Sequence, residues 1–130
     1  MADTEKITIN LGPVDLGQVD LLVDQGFYSN RTDFIRIAIR NQLQNHSHEL
    51  KQYVSEKYFV IGVVDFNRRR LEEALQAGKQ IEVKIVGALV IDEDADLELV
   101  KKAFVKVKVY GMIKASNEVR KFLQGLNQSK

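Results

Sequence analysis

The sequence contains no cysteine, only two histidines and no long hydrophobic run. Without cysteine there are no disulfides and no thiolate metal ligands, which fits a reducing cytoplasm. No segment approaches the roughly 18 apolar residues of a membrane span, and no signal-peptide pattern opens the chain. His46 and His48 are two residues apart on a predicted helix and so do not share a face. We therefore expect a cytoplasmic protein with no metal site, no other cofactor and no membrane partner.

An excess of positive charge is also missing. The formal net charge is +1, and the first 44 residues carry four basic against six acidic side chains, a net charge of −2. Any contact with nucleic acid must therefore depend on where the charges lie, not on their sum. No nucleophile–base pair and no set of metal ligands is recognisable, so no catalytic residues are predicted.

What is present is an alternating stretch near the N-terminus, Lys6–Leu11. Its apolar side chains, Ile7, Ile9 and Leu11, point to one face, and the polar ones, Lys6, Thr8 and Asn10, point to the other. A strand this short is not stable alone, and no hairpin partner follows it. We expect it to pair with its own copy from another subunit, giving a two-stranded ribbon of a size that fits the major groove of B-DNA. On alternation alone, a solvated polar face is the favoured alternative.

Two helices follow this stretch. The first is predicted from about Asp15 to Gln25 and is ended by Gly26. The second starts at Ser29 or Asn30 and runs to about Gln44, with Asn30 and Asp33 as a capping pair. The N–H groups at its start, beside Arg31, can bind an anion such as a DNA phosphate. Residues 44–57 are predicted to form a third helix or a helical linker.

The run from Gly26 to Arg40 reads G-x-Y-x-N-R-[ST]-[DE]-x-I-R-x-A-I-R. Together with the strand, residues 6–43 resemble the ribbon-helix-helix family of prokaryotic regulators, close to its CopG-like branch. The resemblance implies an obligate homodimer that binds double-stranded DNA through its paired strands. Carried over by position, Lys6, Thr8 and Asn10 would read bases, and Ser29, Asn30 and Arg31 would bind phosphate. These side chains suit the task, because lysine can donate to guanine, asparagine can pair with adenine, and threonine can contact either base edges or a thymine methyl.

The second half shows an internal periodicity. The segments Val60–Val64, Ile85–Leu89 and Val109–Ile113 align on glycines that are 25 and 24 residues apart. Five residues after each glycine stands a residue of the helix-capping type: Asn67, Asp92 and Ser116. Helices are predicted at Arg68–Gln76, about Ala95–Phe104, and Asn117–Leu123. The pattern predicts three strand–helix repeats with parallel strands, in which the glycines allow neighbouring backbones to approach closely.

The second half also contains a basic cluster, Arg68–Arg70, and an acidic cluster at Asp92, Asp94 and Asp96. We interpret Arg68–Arg70 as a solvated, partly ion-paired face rather than a phosphate contact. Asp92, Asp94 and Asp96 lack the glycine and closing glutamate of a calcium loop, so we interpret them as structural.

A nickel-responsive regulator with an ACT-like C-terminal domain would share the N-terminal module. The predicted β-α-β-α-β-α order and the absence of His and Cys from the second half argue against that assignment.

The sequence thus predicts an α+β protein with three parts. Residues 1–44 form the ribbon-helix-helix module for dimerisation and DNA binding, 45–57 a helical linker, and 58–130 a small α/β repeat domain for oligomerisation or partner binding. The favoured function is a sequence-specific, nucleoid-associated regulator. One alternative is a scaffold that polymerises through the strand edges of the repeat domain. An antitoxin with a protein partner is less favoured, because the repeat domain should pack by itself.

Overall fold

The computed structural model describes residues 4–57 and 59–128. The elements in this part of the chain are α1 (Pro13–Asp24), α2 (Arg31–Asn45), α3 (Ser47–Lys57), β1 (Val60–Phe66), α4 (Arg68–Gln76), β2 (Ile81–Ile91), α5 (Leu97–Ala103), β3 (Phe104–Lys114) and α6 (Asn117–Gln128). The chain divides into two compact units between Gln52 and Tyr53, within α3. In the described ranges, no helix is long and apolar enough to span a membrane.

The first unit is organised by the turn between α1 and α2. Gly26 has φ of +88°, a left-handed conformation that ends α1 as predicted. The Asn30 side chain then caps α2 by accepting a hydrogen bond from the Asp33 backbone N–H at 2.8 Å. Asp33 returns the contact, because its carboxylate accepts from the backbone N–H of Ser29 at 3.0 Å. The predicted capping pair of Asn30 and Asp33 is thereby confirmed.

Residues 4–12 form neither helix nor strand in the single chain. The predicted strand at Lys6–Leu11 is accordingly unpaired here, and its apolar side chains face solvent. Ile7, Ile9 and Leu11 are 74%, 54% and 44% exposed. A short extended segment without a neighbour has no ladder hydrogen bonds to stabilise it.

The second unit is a three-stranded parallel sheet in the order β1-β2-β3, with a helix after each strand. The predicted order of strands and helices and their parallel arrangement are observed. The register aligns Gly62 with Gly87 and Gly87 with Gly111. All three glycines have positive φ, between +124° and +145°. A Cβ on Gly87 would collide with the carbonyl oxygen of Gly62, and one on Gly111 with that of Gly87. The predicted close approach of neighbouring backbones is therefore present.

The capping role predicted for Asp92 is wrong. Asp92 does not cap the following helix, because α5 begins at Leu97 and its cap is Asp96, which accepts from the Leu99 N–H at 2.9 Å. Asp92 instead prolongs the contact between β1 and β2, donating its N–H to the carbonyl of Phe66 at 2.9 Å. Its own carbonyl then accepts from Ala95 in a turn, so the chain needs four more residues before the helix starts.

The core of the second unit lies on one face of the sheet. Alternate residues of the strands, such as Ile85, Leu89 and Val109, pack against apolar residues of α4, α5 and α6. Leu71 of α4 and Leu123 of α6 are fully buried in this core. The three helices therefore share one hydrophobic core with this face of the sheet, and burial of this kind is the main stabilising term of a small domain.

Candidate nucleic-acid interface

The three predicted base-reading residues lie in the N-terminal segment. Lys6, Thr8 and Asn10 are exposed, and they alternate with the exposed apolar side chains of Ile7, Ile9 and Leu11. If this segment is extended, the polar set lies on one side and the apolar set on the other. Such a segment can present polar groups to a groove only if its apolar side is covered.

The helices of the first unit also leave large apolar side chains uncovered. Val19 is the one buried apolar residue described in this unit, and α2 has none along its 15 residues. The uncovered side chains on or beside the two helices are Val14, Leu21, Phe27, Ile39 and Leu43, each between 46% and 72% exposed. Helical stability in proteins comes mostly from packing of an apolar face. The first unit therefore presents, along the segment and both helices, an apolar surface of the kind that marks an interface.

The predicted phosphate-binding residues meet at the start of α2, as their sequence positions require. The Asn30 side chain accepts from Asp33, and the Ser29 N–H donates to the Asp33 carboxylate. Both groups are thus used in capping the helix. The positive end of the helix dipole lies here as well, and it attracts anions.

Arg31 is held by a carboxylate that sequence reasoning missed. Its Nε and Nη2 donate to the two carboxylate oxygens of Asp20 at 2.7 and 2.8 Å, a bidentate pair that joins α1 to α2. The hydrogen bond from Arg31 lowers the pKa of Asp20 below its usual value, and the same bond raises the pKa of Arg31. Both side chains are about half exposed, so the guanidinium can still reach a second anion. No sequence signal connects these residues, because they are eleven positions apart and meet only when the two helices fold together.

The basic cluster at the start of α4 makes ion pairs within the second unit. Arg68 pairs with Glu72 at 2.9 Å and Arg69 with Glu73 at 3.0 Å, each one helical turn away. Arg70 donates to the carbonyl of Asp65 and lies 4.7 Å from the centre of the Phe66 ring. The interpretation of an ion-paired face is confirmed for this cluster.

The acidic residues before α5 take part in the same contacts. Asp94 accepts from the Arg68 N–H at 3.0 Å, and Asp96 caps α5. The hydrogen bond that Asp96 accepts from the Leu99 N–H lowers the pKa of the Asp96 carboxyl group, and the nearby charge of Arg68 lowers it further. Over the described ranges, no group of three or more His, Cys, Asp or Glu side chains is arranged to hold a metal ion.

The similarity of this chain to a known family extends beyond the first unit. The family model described as a ribbon-helix-helix transcriptional regulator family matches residues 2–120, from the N-terminal segment into α6. The match therefore includes the parallel sheet as well as the two-helix unit. Comparisons with curated proteins and with solved structures gave no significant match. Because the matched segment covers most of the 130 residues, the chain belongs to the ribbon-helix-helix family of transcriptional regulators.

Proposed function

We propose that this protein is a dimeric regulator that recognises a specific DNA sequence. In this proposal, residues 6–11 of two subunits pair as an antiparallel ribbon and enter the major groove. Membership of a family of DNA-binding regulators supports the general function. The observation that carries the specific proposal is the alternation of polar and apolar residues in a segment whose apolar side is uncovered in the single chain.

Dimerisation follows from the apolar surface of the first unit. Each aliphatic side chain that moves from water into a core contributes about 1.5–3 kcal/mol when fully buried. Ile7, Ile9 and Leu11 of two copies, covered by α1 and α2 of both subunits, would supply the missing core. Pairing of the segments would also satisfy their backbone N–H and C=O groups, which an isolated strand leaves to water.

The opposite side of the paired segments would then carry Lys6, Thr8 and Asn10 from each subunit. These side chains provide a cation, a hydroxyl with a methyl group, and an amide, which together can distinguish the edges of base pairs. Phosphate binding at Ser29, Asn30 and Arg31 would fix the register of the ribbon. Because the first 44 residues carry a net charge of −2, we expect weak binding to unrelated sequences.

Arg31 would exchange part of its contact with Asp20 for a DNA phosphate. The two carboxylate contacts hold the guanidinium beside the N-terminus of α2, where a phosphate can accept from the helix N–H groups and from Arg31 together. Asp20 would thus position the arginine and, at the same time, limit the affinity for phosphate.

Three reading side chains per subunit can specify only a few base pairs, so a useful operator needs two or more dimers. The second unit would join these dimers into a higher oligomer. The edge of β3 makes the polymerising scaffold less favourable at Val109, where Asn127 of α6 occupies the backbone groups that another strand would need. Its amide donates to the Val109 carbonyl at 3.1 Å and accepts from the Val109 N–H at 2.8 Å, as a neighbouring strand would.

DNA binding is tested with candidate inverted repeats from the region upstream of the protein's own coding sequence. Affinity would be measured by fluorescence anisotropy at several salt concentrations, for the wild type and for Lys6→Ala/Thr8→Ala/Asn10→Ala. We expect the wild type to prefer one sequence and the triple variant to stay folded and dimeric but lose that preference. The variant Lys79→Ala/Gln80→Ala, at exposed positions of the second unit, is the matched control and should retain it.

Arg31→Ala separates phosphate binding from base reading. It should weaken binding to all sequences alike and reduce the slope of log affinity against log salt by about one per subunit. Equal, weak binding by the wild type and the triple variant, with the same salt slope, would contradict base reading by the segment.

A further inference from the structure

The sheet of the second unit has a face that α4, α5 and α6 do not cover; we call it the open face. Because strand residues alternate, it consists of the positions between those that enter the core. On β1 these are Ile61 and Val63, on β2 Val86 and Ala88, and on β3 Tyr110 and Met112. None of these side chains belongs to the core cluster or packs against it. Parallel sheets are almost always covered on both faces, so this arrangement is incomplete in the single chain.

The open face is apolar and accessible on its outer strands, while Ala88 at its centre is buried and the Phe59 ring packs against that of Tyr110. Ile61 and Val63 on the outer strand are 63% and 68% exposed, and Tyr110 on the opposite strand is 56% exposed. On the central strand, Val86 and Val90 are half-buried between these neighbours. Aliphatic side chains dominate the patch, which favours a protein surface over the stacked bases of single-stranded nucleic acid, since those need aromatic platforms.

Charges at one end of the open face make it complementary to itself. Asp65 on β1 lies in the same register row as Val90 on β2 and Lys114 on β3. A two-fold axis parallel to the strands, placed between two stacked sheets, places β1 of one copy over β3 of the other. Asp65, whose carboxylate also lies 3.9 Å from the Arg70 guanidinium of its own chain, then faces the Lys114 position of the partner copy, and this happens twice. The same axis places Ile61 over Tyr110 and Val63 over Met112.

At the opposite end, the same axis places Lys84 of β2 over its own copy. These two cations would lie at the rim of the contact, where long side chains can turn their charged ends to water. The alternative is a two-fold axis that lies between the two sheets but runs across the strands, along the glycine row. It offers no opposite-charge pair, because it places Lys114 of one copy over Lys108 of the other. Charge placement therefore selects the axis parallel to the strands.

The size of the open face indicates whether a single face-to-face contact would hold two copies together. Three strands spaced about 4.8 Å apart and seven residues at about 3.3 Å each span roughly 14 by 23 Å. Two such faces have a combined projected area of roughly 640 Å², less than the ~1,000 Å² that a specific interface buries. One contact alone would be weak, but two contacts formed together between the same pair of dimers reinforce each other.

We propose that the open face binds the open face of a second copy, about the two-fold axis parallel to the strands, and so joins two dimers into a closed tetramer. The inference rests on the proposed dimerisation through the first unit, but it does not depend on DNA reading. The tetramer holds two DNA-binding modules together, as an operator with two dimer sites requires.

The mass of the full-length chain in solution, from sedimentation velocity over a range of concentrations, tests the proposal. We expect the wild type to have four times the chain mass of 14.8 kDa. Val63→Glu introduces charge at the centre of the contact and should weaken dimer–dimer association roughly a hundredfold, leaving a dimer. The matched control is Val105→Glu, at an exposed valine of β3 outside the open face, and it should remain tetrameric. Circular dichroism verifies that both variants fold.

Charge exchange tests the axis itself. Asp65→Lys and Lys114→Asp should each weaken the tetramer about tenfold, because each creates like-charge pairs. The double variant should recover wild-type association. Lys84→Ala should strengthen it by removing the facing cations.

Each outcome separates this inference from the proposed DNA reading. A wild type that stays dimeric at all concentrations, or a Val63→Glu variant that stays tetrameric, overturns the open-face contact. Failure of the charge exchange to restore association overturns the axis. The Lys6→Ala/Thr8→Ala/Asn10→Ala variant should remain tetrameric, so unaltered DNA preference in that variant would refute base reading and leave the tetramer intact.

Discussion

The two units of this chain differ in where their hydrophobic core comes from. In the second unit, residues from three strands and three helices bury one another, and several side chains are fully inaccessible. In the first unit, Val14 and Leu21 of α1 and Ile39 and Leu43 of α2 remain exposed to solvent, together with the apolar side chains of the N-terminal segment. Both units have clear local signals, such as the Asn30 and Asn67 caps. The difference shows that well-formed local structure is a separate property from a complete core, and that a unit lacking its core points to a partner.

The largest expected effect concerns the complete unit. Gly87→Ala would place a Cβ against the Gly62 carbonyl in a backbone conformation that alanine avoids. We expect it to reduce the free energy of unfolding of the second unit by about 3–5 kcal/mol, the range of severe substitutions. Chemical denaturation followed by circular dichroism measures this. Gly125→Ala is the control: its Cβ meets nothing within 4 Å, and in helix α6 it should stabilise by up to about 1 kcal/mol.

If the Gly87→Ala variant unfolds at the same denaturant concentration as the wild type, β1 and β2 do not approach each other as closely as described. The first unit serves as an internal reference in the same experiment. Because its proposed core comes from the partner copy, its dimerisation should survive the substitution.

The second-largest expected effect is on dimerisation through the first unit. Ile39 is 46% exposed in the single chain, so a polar substitution there would cost little in a monomer. If the partner covers it, Ile39→Lys places a charge in the dimer core and should weaken dimerisation at least about a hundredfold. Made in the Val63→Glu background, where sheet contacts are removed, it should leave a monomer of 14.8 kDa in sedimentation velocity.

The matched substitution for this experiment is Val105→Lys in the same background, since Val105 has a similar exposure of 45%. That variant should remain a dimer. Equal masses for the two variants would mean that Ile39 lies on a solvated surface and that the comparison between the units fails.

The smallest expected effect is the pH dependence of the ion pair between α1 and α2. Because Arg31 lowers the pKa of Asp20 in the folded state, the pair stabilises the fold above the ordinary carboxyl pKa of 3.8. That contribution is lost as the pH falls through the lowered pKa. Asp20→Asn should thus shift the denaturation midpoint slightly at pH 7, and the shift should shrink at pH 3. Both side chains are exposed, so the shift is small.

Asp24→Asn, one helical turn further along α1, controls for the loss of a surface charge. Its carboxylate accepts a hydrogen bond from the neighbouring Gln25 instead of joining the helices. A larger response to pH for Asp24→Asn than for Asp20→Asn would contradict the assigned role of Asp20.

Features that depend on neighbouring residues in the chain were predictable from sequence. The Asn30–Asp33 cap, the left-handed Gly26 and the strand–helix order all follow from local patterns. The Asp96 cap was missed, because several aspartates before α5 can each cap a helix and only the turn at Asp92 decides between them. The end of α6 was missed as well: the helix was predicted to end at Leu123, but it continues to Gln128, and Asn127 bonds to β3.

Features that depend on how elements pack were out of reach. The Asp20–Arg31 pair requires the crossing of two helices, and nothing in the spacing of these residues indicates it. The open face was hidden for a related reason. Val86, Ala88 and Val90 read as part of a continuous apolar strand, and only the fold shows that its helices cover one side.

The aligned glycines also have a consequence for how this sequence can change during evolution. At Gly87 and Gly111 the room of a side chain is taken by the backbone of the preceding strand, so no larger residue can be accommodated by repacking. A one-residue insertion within a strand would move its glycine out of the row, whereas changes in the loops between strand and helix leave the row intact. Variation should thus collect in the connections while the three glycines persist, and their spacing of 25 and 24 residues would mark the fold in relatives too diverged to align elsewhere.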